Sequence, residues 1–351
     1  MRFVKMKHCT PGMILGKNMY ANYGTLLLSR GSVLEQQHIN RLDRLGYVGV
    51  YIEDDLSGGI EIKEVVDPLV REYACAAIEG LFNSTKLSEN NSHLLREIEA
   101  LLDAISNQIL ANRDSVVSLA SLKTLDNYTY QHSVDVGIIS LVIGRGLKLD
   151  KEELMDLGRA AFFHDIGLMF IPDDIVNKTA TLTPEEFDAI KKHPEYGYTF
   201  LSTVLRQSKA VAQAALYHHE RYEGGGYPRG ITGENTPLYA QIIAVADVYD
   251  ALTSKRSYRD EVSPAEAYEH IMSEMGSRFS PEVVNTFIRK VSPFPVGACV
   301  SLSDGRQAVI VKNYDNFMMR PLVKIMDKQE DVYVDLTNDP NAMSVTVVGV
   351  V

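Results

Sequence analysis

Residues 160–168 read Ala160-Ala161-Phe162-Phe163-His164-Asp165-Ile166-Gly167-Leu168. Four apolar residues run directly into an imidazole and a carboxylate, so a helical segment with a buried character delivers two polar groups at its end. Burying such a doublet costs free energy unless it is paired or coordinated. The construction recurs: Ala212 to Leu216 leads to His218-His219, and Ile242-Ile243-Ala244-Val245-Ala246 leads to Asp247. Of the 9 histidines, His132, His164, His193, His218 and His219 crowd into a quarter of the chain. Metal is the economical explanation. Imidazoles and carboxylates without thiolates suit octahedral first-row metals such as iron or manganese better than a structural zinc. Ligands on separate packed helices can hold a metal pair about 3.5–4 Å apart, the geometry used for in-line attack on phosphorus.

Outward from this stretch the pattern stays helical from Asn127 to Lys290. Pro184 after Thr183 and Pro264 after Ser263 mark two helix starts with acids in the first turn. Upstream, residues 64–123 contain almost no proline or glycine. There Leu94, Leu95, Ile98, Leu101, Leu102, Ile105 and Ile109 recur near a period of 3.6, with Ser92 as a cap. These read as connector helices whose apolar stripe is core, with a homodimer seam as the alternative. The first 60 residues alternate quickly between two short strands joined at Tyr23-Gly24, a helix carrying Leu34, His38, Ile39, Leu42 and Leu45, and the β-branched run Val48 to Ile52. After Pro293-Phe294-Pro295, four short strands are expected at Ala298 to Leu302, Gln307 to Lys312, Pro321 to Ile325 and Val345 to Val350. The expected fold is mainly α. A β/α module at 1–60, connector helices at 61–114 and an all-α domain at 115–290 are followed by a β-barrel-like extension at 291–351.

The chain's 351 residues allow two or three domains. With 45% apolar and 23% charged residues the composition is that of a packed globular protein. A net charge of -11 argues against a broad grip on a nucleic acid polymer or an anionic membrane, so a phosphate ligand must be held locally. Cys9, Cys75 and Cys299 are few, odd in number and far apart, which fits a reducing compartment and no disulfide framework. Met1 to Lys7 lacks an apolar signal core, and the longest apolar stretch, Val136 to Ile143, is too short to span a bilayer. A soluble, cytoplasmic protein is expected.

The succession His132-Ser133, His164-Asp165, His193, His218-His219, Gly226-Tyr227-Pro228 and Asp247 resembles the HD-GYP family of cyclic di-GMP phosphodiesterases, a branch of the HD-domain metal phosphohydrolases. The likeness covers roughly residues 115–290. It extends to Ile171-Pro172-Asp173, Leu182-Thr183-Pro184-Glu185-Glu186, His218-His219-Glu220-Arg221, Pro237-Leu238 and the run from Ala246-Asp247 through Asp250 to Thr253. The resemblance implies two divalent metal ions held by His132, His164, Asp165, His193, His218, His219 and Asp247, with Asp165 as the bridge. By the same resemblance His164, Asp165 and His193 are expected to form the catalytic centre. It also implies that Gly226, Tyr227 and Pro228 face the nucleotide and that Arg256 and Arg259 meet its phosphates, for which guanidinium forks are suited. Cyclic di-GMP, opened to linear pGpG, is the implied substrate.

Three positions depart from the family pattern. Leu168 stands where the family carries a lysine thought to assist at the phosphate; leucine neither donates a hydrogen bond nor carries charge, and such a loss can cost about 10²–10³ in rate. Asn127 and Tyr128 stand near where three-metal members carry a glutamate, which favours a binuclear site. Glu223 replaces an aspartate at the opening of the loop. Two alternatives follow: a receptor that binds the nucleotide and signals through its flanking domains, or a phosphodiesterase for another cyclic dinucleotide such as cyclic GMP-AMP. His8, His38, His93 and His270 have no partner pattern and read as surface or core residues.

Overall fold

The computed structural model describes residues 1–21, 24–84, 92–112, 128–254, 262–327 and 330–351. Its first unit contains β1 (Arg2–Lys5), β2 (Ile14–Leu15), β3 (Met19–Ala21), β4 (Thr25–Leu28), α1 (Gln36–Arg44) and β5 (Gly49–Glu53). β5 lies between β1 and β2 in an antiparallel sheet, with Val4 opposite Val50, and β3–β4 is a separate hairpin. The apolar face of α1, Ile39 and Leu42, packs with Val4, Leu15 and Val50 into a small core.

The helical body follows: α2 (Pro68–Ser84), α3 (Ser92–Ala111), α4 (Tyr128–Gly146), α5 (Lys151–Phe162), α6 (Asp173–Val176), α7 (Pro184–Ile190), α8 (His193–Thr203), α9 (Lys209–Tyr217), α10 (Leu238–Thr253), α11 (Pro264–Ser273) and α12 (Pro281–Lys290). Its starts are chemically marked. Asp150 with Glu153, Thr183 with Glu186 and Ser263 with Glu266 each form a reciprocal capping box that satisfies otherwise orphaned amides. Ile78 and Leu81 of α2 and Ile98, Leu102, Ile105 and Ile109 of α3 belong to the same buried cluster as Ile139 of α4, Phe162 of α5 and Val245 of α10. The stripe on α3 is therefore filled largely by the chain's own core. Arg71 on α2 makes a two-pronged ion pair with Asp135 on α4, at 2.8 and 2.7 Å.

The last unit corrects the expectation of a barrel-like extension. β6 (Cys299–Leu302), β7 (Gln307–Lys312), β8 (Leu322–Ile325), β9 (Tyr333–Asp335) and β10 (Val347–Val350) form an open antiparallel sheet in the order β10-β6-β7-β8-β9, whose outer strands do not pair with each other. The sheet stays unclosed because its edge strands β10 and β9 are short and each pairs on one side only, with β6 and with β8. Apolar cover comes from outside the sheet instead: Phe294, Leu336 and Ala342 close one core, and Ile60 packs with Cys299 and Val309 in another. The first and last units are tied by main-chain contact, Phe3 N donating to Gly297 O at 2.8 Å, and by the buried Lys324 donating to Gly58 O at 3.1 Å. Among the described residues no helix is long and apolar enough to cross a membrane.

Candidate metal centre

Five helices deliver the site. His132 lies within α4; His164 and Asp165 follow the end of α5; His193 opens α8; His218 and His219 follow α9; Asp247 lies in α10. The close packing that brings them together depends on a glycine. A Cβ on Gly167 would lie 1.9 Å from His193 O and 2.6 Å from Gly197 N, so the 3-10 turn Ile166–Phe170 can seat against α8 only if residue 167 has no side chain. That contact sets His193 Nε2 3.2 Å from Asp165 Oδ1.

Three of the imidazoles are aimed by helix ends. The last carbonyls of a helix have no partner within it. Nδ1 of His164, His193 and His218 lies 2.8 Å from the carbonyls of Ala161, Ile190 and Ala215, which belong to the last turns of α5, α7 and α9. Each ring thus satisfies an orphan acceptor through Nδ1 and turns Nε2 inward. His132, inside α4, meets a carboxylate instead: Asp250 Oδ2 on α10 lies 2.8 Å from its Nδ1, while its Nε2 is 3.2 Å from Asp247 Oδ1.

The donors form two groups with one member in common. Ligand atoms of Asp165, His193, His218 and His219 lie within 4.8 Å of one another, and so do those of His132, His164 and Asp165. Asp247 reaches the second group through His132. The rings of His218 and His219 stack at 4.0 Å between centroids. The chemistry of these residues fits a divalent cation: nitrogen and carboxylate donors only, and a buried His164 Nε2 that makes no hydrogen bond among the described residues and lies 3.4 Å from Asp165 Oδ2.

Burial and mutual pairing split the titration of these groups. Burial disfavours charge on both carboxylates, yet the surrounding imidazoles win: Asp165, beside His164, His193 and His218, and Asp247, beside His132, are held below the usual carboxylate range. Burial holds His218 and, more strongly, His219 below the ordinary imidazole value, keeping their nitrogen lone pairs free for a cation. For His132 burial is outweighed by hydrogen bonds to Asp247 and Asp250, and its pKa is pushed up to about 10.

The Gly226-Tyr227-Pro228 loop closes over one side of the centre. Gly226 again has no room for a Cβ, which would fall 2.5 Å from Arg221 N and 2.6 Å from His219 O. Tyr227 consequently packs its ring against His219 with centroids 4.6 Å apart at 30°. The buried Glu220 fastens the loop, its Oε1 accepting from the amides of Arg229 at 2.6 Å and Gly230 at 3.1 Å. Leu168 is half-buried in the 3-10 turn, its amide donating to Asp165 O at 2.9 Å. Glu223 pairs with Arg221 at 3.3 Å. Arg256 and Arg259, assigned to the phosphates by resemblance, and Asn127 lie outside the described residues, and so does the side chain of Tyr128. Sequence reasoning gave no role to Asp250 or Glu220, although Asp250 stands one helical turn after Asp247 and Glu220 directly after the histidine doublet.

The fold and this donor set define a helical metal-centre protein, and the comparisons agree on which class. A model of the HD domain family matches residues 106–283. A cyclic di-GMP phosphodiesterase of Pseudomonas aeruginosa is 37% identical over 259 residues, which cover 73% of this chain and 61% of the relative. The cyclic di-GMP phosphodiesterase response regulator RpfG of Xanthomonas campestris pv. campestris is 33% identical over 237 residues, 67% of this chain and 62% of that one. The chain thus spans about three fifths of the length of these curated relatives. Among solved structures, an HD-GYP-type protein from Bdellovibrio bacteriovorus shares the fold with a TM-score of 0.55 at 18% identity, over 81% of this chain and 97% of that one. The chain belongs to the HD-domain family, in its HD-GYP branch.

Proposed function

We propose that this protein is a metal-dependent phosphodiesterase that opens cyclic di-GMP to linear pGpG. The observation that carries the reading is the pair of donor groups sharing Asp165. A carboxylate common to two donor groups suits a pair of cations held side by side, the arrangement that two-metal phosphodiester chemistry uses. His132, His164 and Asp247 would serve one cation, His193, His218 and His219 the other, and Asp165 both; iron or manganese suits this donor set. Bound there, such cations supply Lewis-acid stabilisation of the phosphate and activation of the attacking water.

The remaining work belongs to the chain. The helix-end carbonyls and Asp250 hold the imidazoles rigid, so little reorganisation accompanies binding. Tyr227, whose ring packs on His219 beside Gly226 and Pro228, would bear on the nucleotide; the ring contact with a donor of the centre supports that role. Arg256 and Arg259 are assigned to phosphate neutralisation by the family resemblance. Residues 115–290 form the catalytic unit in this reading, with 61–114 as connectors and 1–60 and 291–351 as flanks. Three cysteines without disulfides fit a cytoplasmic setting. A pure receptor would rest on Leu168 alone, whereas both relatives carry names of phosphodiesterases.

The test is chromatographic separation of products after incubating manganese- or iron-loaded protein with cyclic di-GMP, with cyclic GMP-AMP in parallel. Formation of pGpG, abolished by His164→Ala with Asp165→Ala, supports the reading. Faster turnover of cyclic GMP-AMP would reassign the base preference, and no product from either would refute the enzyme. Leu168→Lys, which restores the lysine that the family pattern carries at this position, is expected to raise kcat about tenfold or more.

A further inference from the structure

Every imidazole aimed into the centre needs an acceptor at its far nitrogen, and the four described above obtain it in two different ways. His164, His193 and His218 stand at helix ends, where unpaired last-turn carbonyls lie within 2.8 Å of Nδ1. Those acceptors come with the backbone and no side-chain substitution can remove them. His132 is different because it lies inside α4, Tyr128–Gly146, where the neighbouring carbonyls are engaged in the helix's own ladder. Its acceptor must come from another element. Asp250 of α10 provides it at 2.8 Å, and its side chain has no solvent exposure. Ser254 Oγ, just past the end of α10, donates to the same Oδ2 at 3.2 Å and fixes the carboxylate in turn.

We infer that Asp250 is a positioning residue for one half of the metal centre: it holds His132 with Nδ1 protonated and Nε2 facing the cation that His132, His164 and Asp165 surround. The inference rests on the metal-centre reading above and extends it to a residue that touches no cation itself. A carboxylate behind a metal-bound imidazole fixes the ring and raises its basicity as a ligand, and its loss typically costs about 10–100-fold in metal affinity. The effect is confined by geometry: Asp250 bonds the ring of His132, which belongs to the donor group of His164 and Asp165, whereas His193, His218 and His219 form the other group with Asp165 as the common member. Removal of the Asp250 carboxylate therefore weakens one cation site and spares the other.

The experiment is titration of the metal-free full-length chain with Mn²⁺ by calorimetry, for wild type, Asp250→Asn, Asp250→Ala, His132→Ala and His132→Ala with Asp250→Ala, each checked for folding by circular dichroism. In Asp250→Ala one site is expected to weaken by about 10–100-fold and the other to stay within about threefold. Asp250→Asn, of the same shape and still able to accept one hydrogen bond, falls between Asp250→Ala and wild type and guards against a folding defect. In the His132→Ala background the second substitution adds no further loss. Two tight sites in wild type that both aspartate variants leave unchanged would overturn the inference and leave the metal centre standing. An undiminished loss in the His132→Ala background, or equal weakening of both sites, would also overturn it. A wild-type chain that binds no Mn²⁺ would overturn the metal-centre reading itself.

Discussion

Gly167 is the residue on which the geometry of the centre turns most sharply. The 1.9 Å that would separate its Cβ from His193 O is an impossible contact with backbone, so Gly167→Ala must push the Ile166–Phe170 turn away from α8. Overpacking of this kind costs about 1–3 kcal/mol. Chemical denaturation of Gly167→Ala is expected to show a loss in that range, together with weaker metal binding because His193 retreats from Asp165; wild-type stability would mean that the two segments separate freely. At this scale the sequence was readable where chemistry and pattern coincide. His164-Asp165, His218-His219 and Asp247 each terminate or interrupt an apolar run, which is why they stand out. Asp250 sits between Tyr249 and Ala251 with no doublet to flag it, and Glu220 reads as an ordinary acid after the histidines. Their roles follow from which groups they face across the fold, and spacing along the chain does not contain that.

At the scale of elements, α4 is the helix through which the first part of the chain reaches the centre. His132 and Asp135 lie three residues apart on it, and Asp135 is clamped by Arg71 of α2 in a bidentate pair with no exposure on the carboxylate side. Removing one partner strands a buried charge, which typically costs about 3–5 kcal/mol, whereas replacing both by apolar groups can be nearly neutral. Arg71→Ala should therefore be destabilised by roughly that amount in urea unfolding. Arg71→Met with Asp135→Leu should recover most of it, and equal losses in the single and double variants would mean that packing of the stems dominates. Helix starts were legible because caps and prolines are local signals, as at Thr183-Pro184 and Ser263-Pro264. The strands β1 and β9 were not, since Arg2-Phe3-Val4-Lys5 and Tyr333-Val334-Asp335 offer too few alternating apolar positions to declare themselves. They are strands because β5 and β8 supply partners from distant sequence.

Over the whole molecule, the two ends of the chain meet. The Met1 amino group donates to Ser57 O at 3.0 Å and Ile60 O at 2.8 Å, Arg2 pairs with Asp54 at 2.9 Å, and the buried Lys324 ties the last sheet to Gly58. Ile60, at the end of the N-terminal unit, packs on Cys299 and Val309 and so covers part of one side of the C-terminal sheet. Lys324→Met should lower stability by about 0.5–1.5 kcal/mol, through loss of the hydrogen bond to the exposed Gly58 carbonyl and of the pairing with Asp331, without altering metal content. Differential scanning calorimetry of the full-length variant would check this, and an unchanged transition would show that the two units hold together without that bond.

The central claim, that side chains from five helices converge to hold two cations around one shared carboxylate, is tested most directly by elemental analysis of the manganese-loaded chain and of its Asp165→Ala variant. About two ions are expected per wild-type chain, and both are lost on substitution, because Asp165 belongs to each donor group. A wild-type chain that retains no metal after loading, or a variant that keeps both ions, would contradict it.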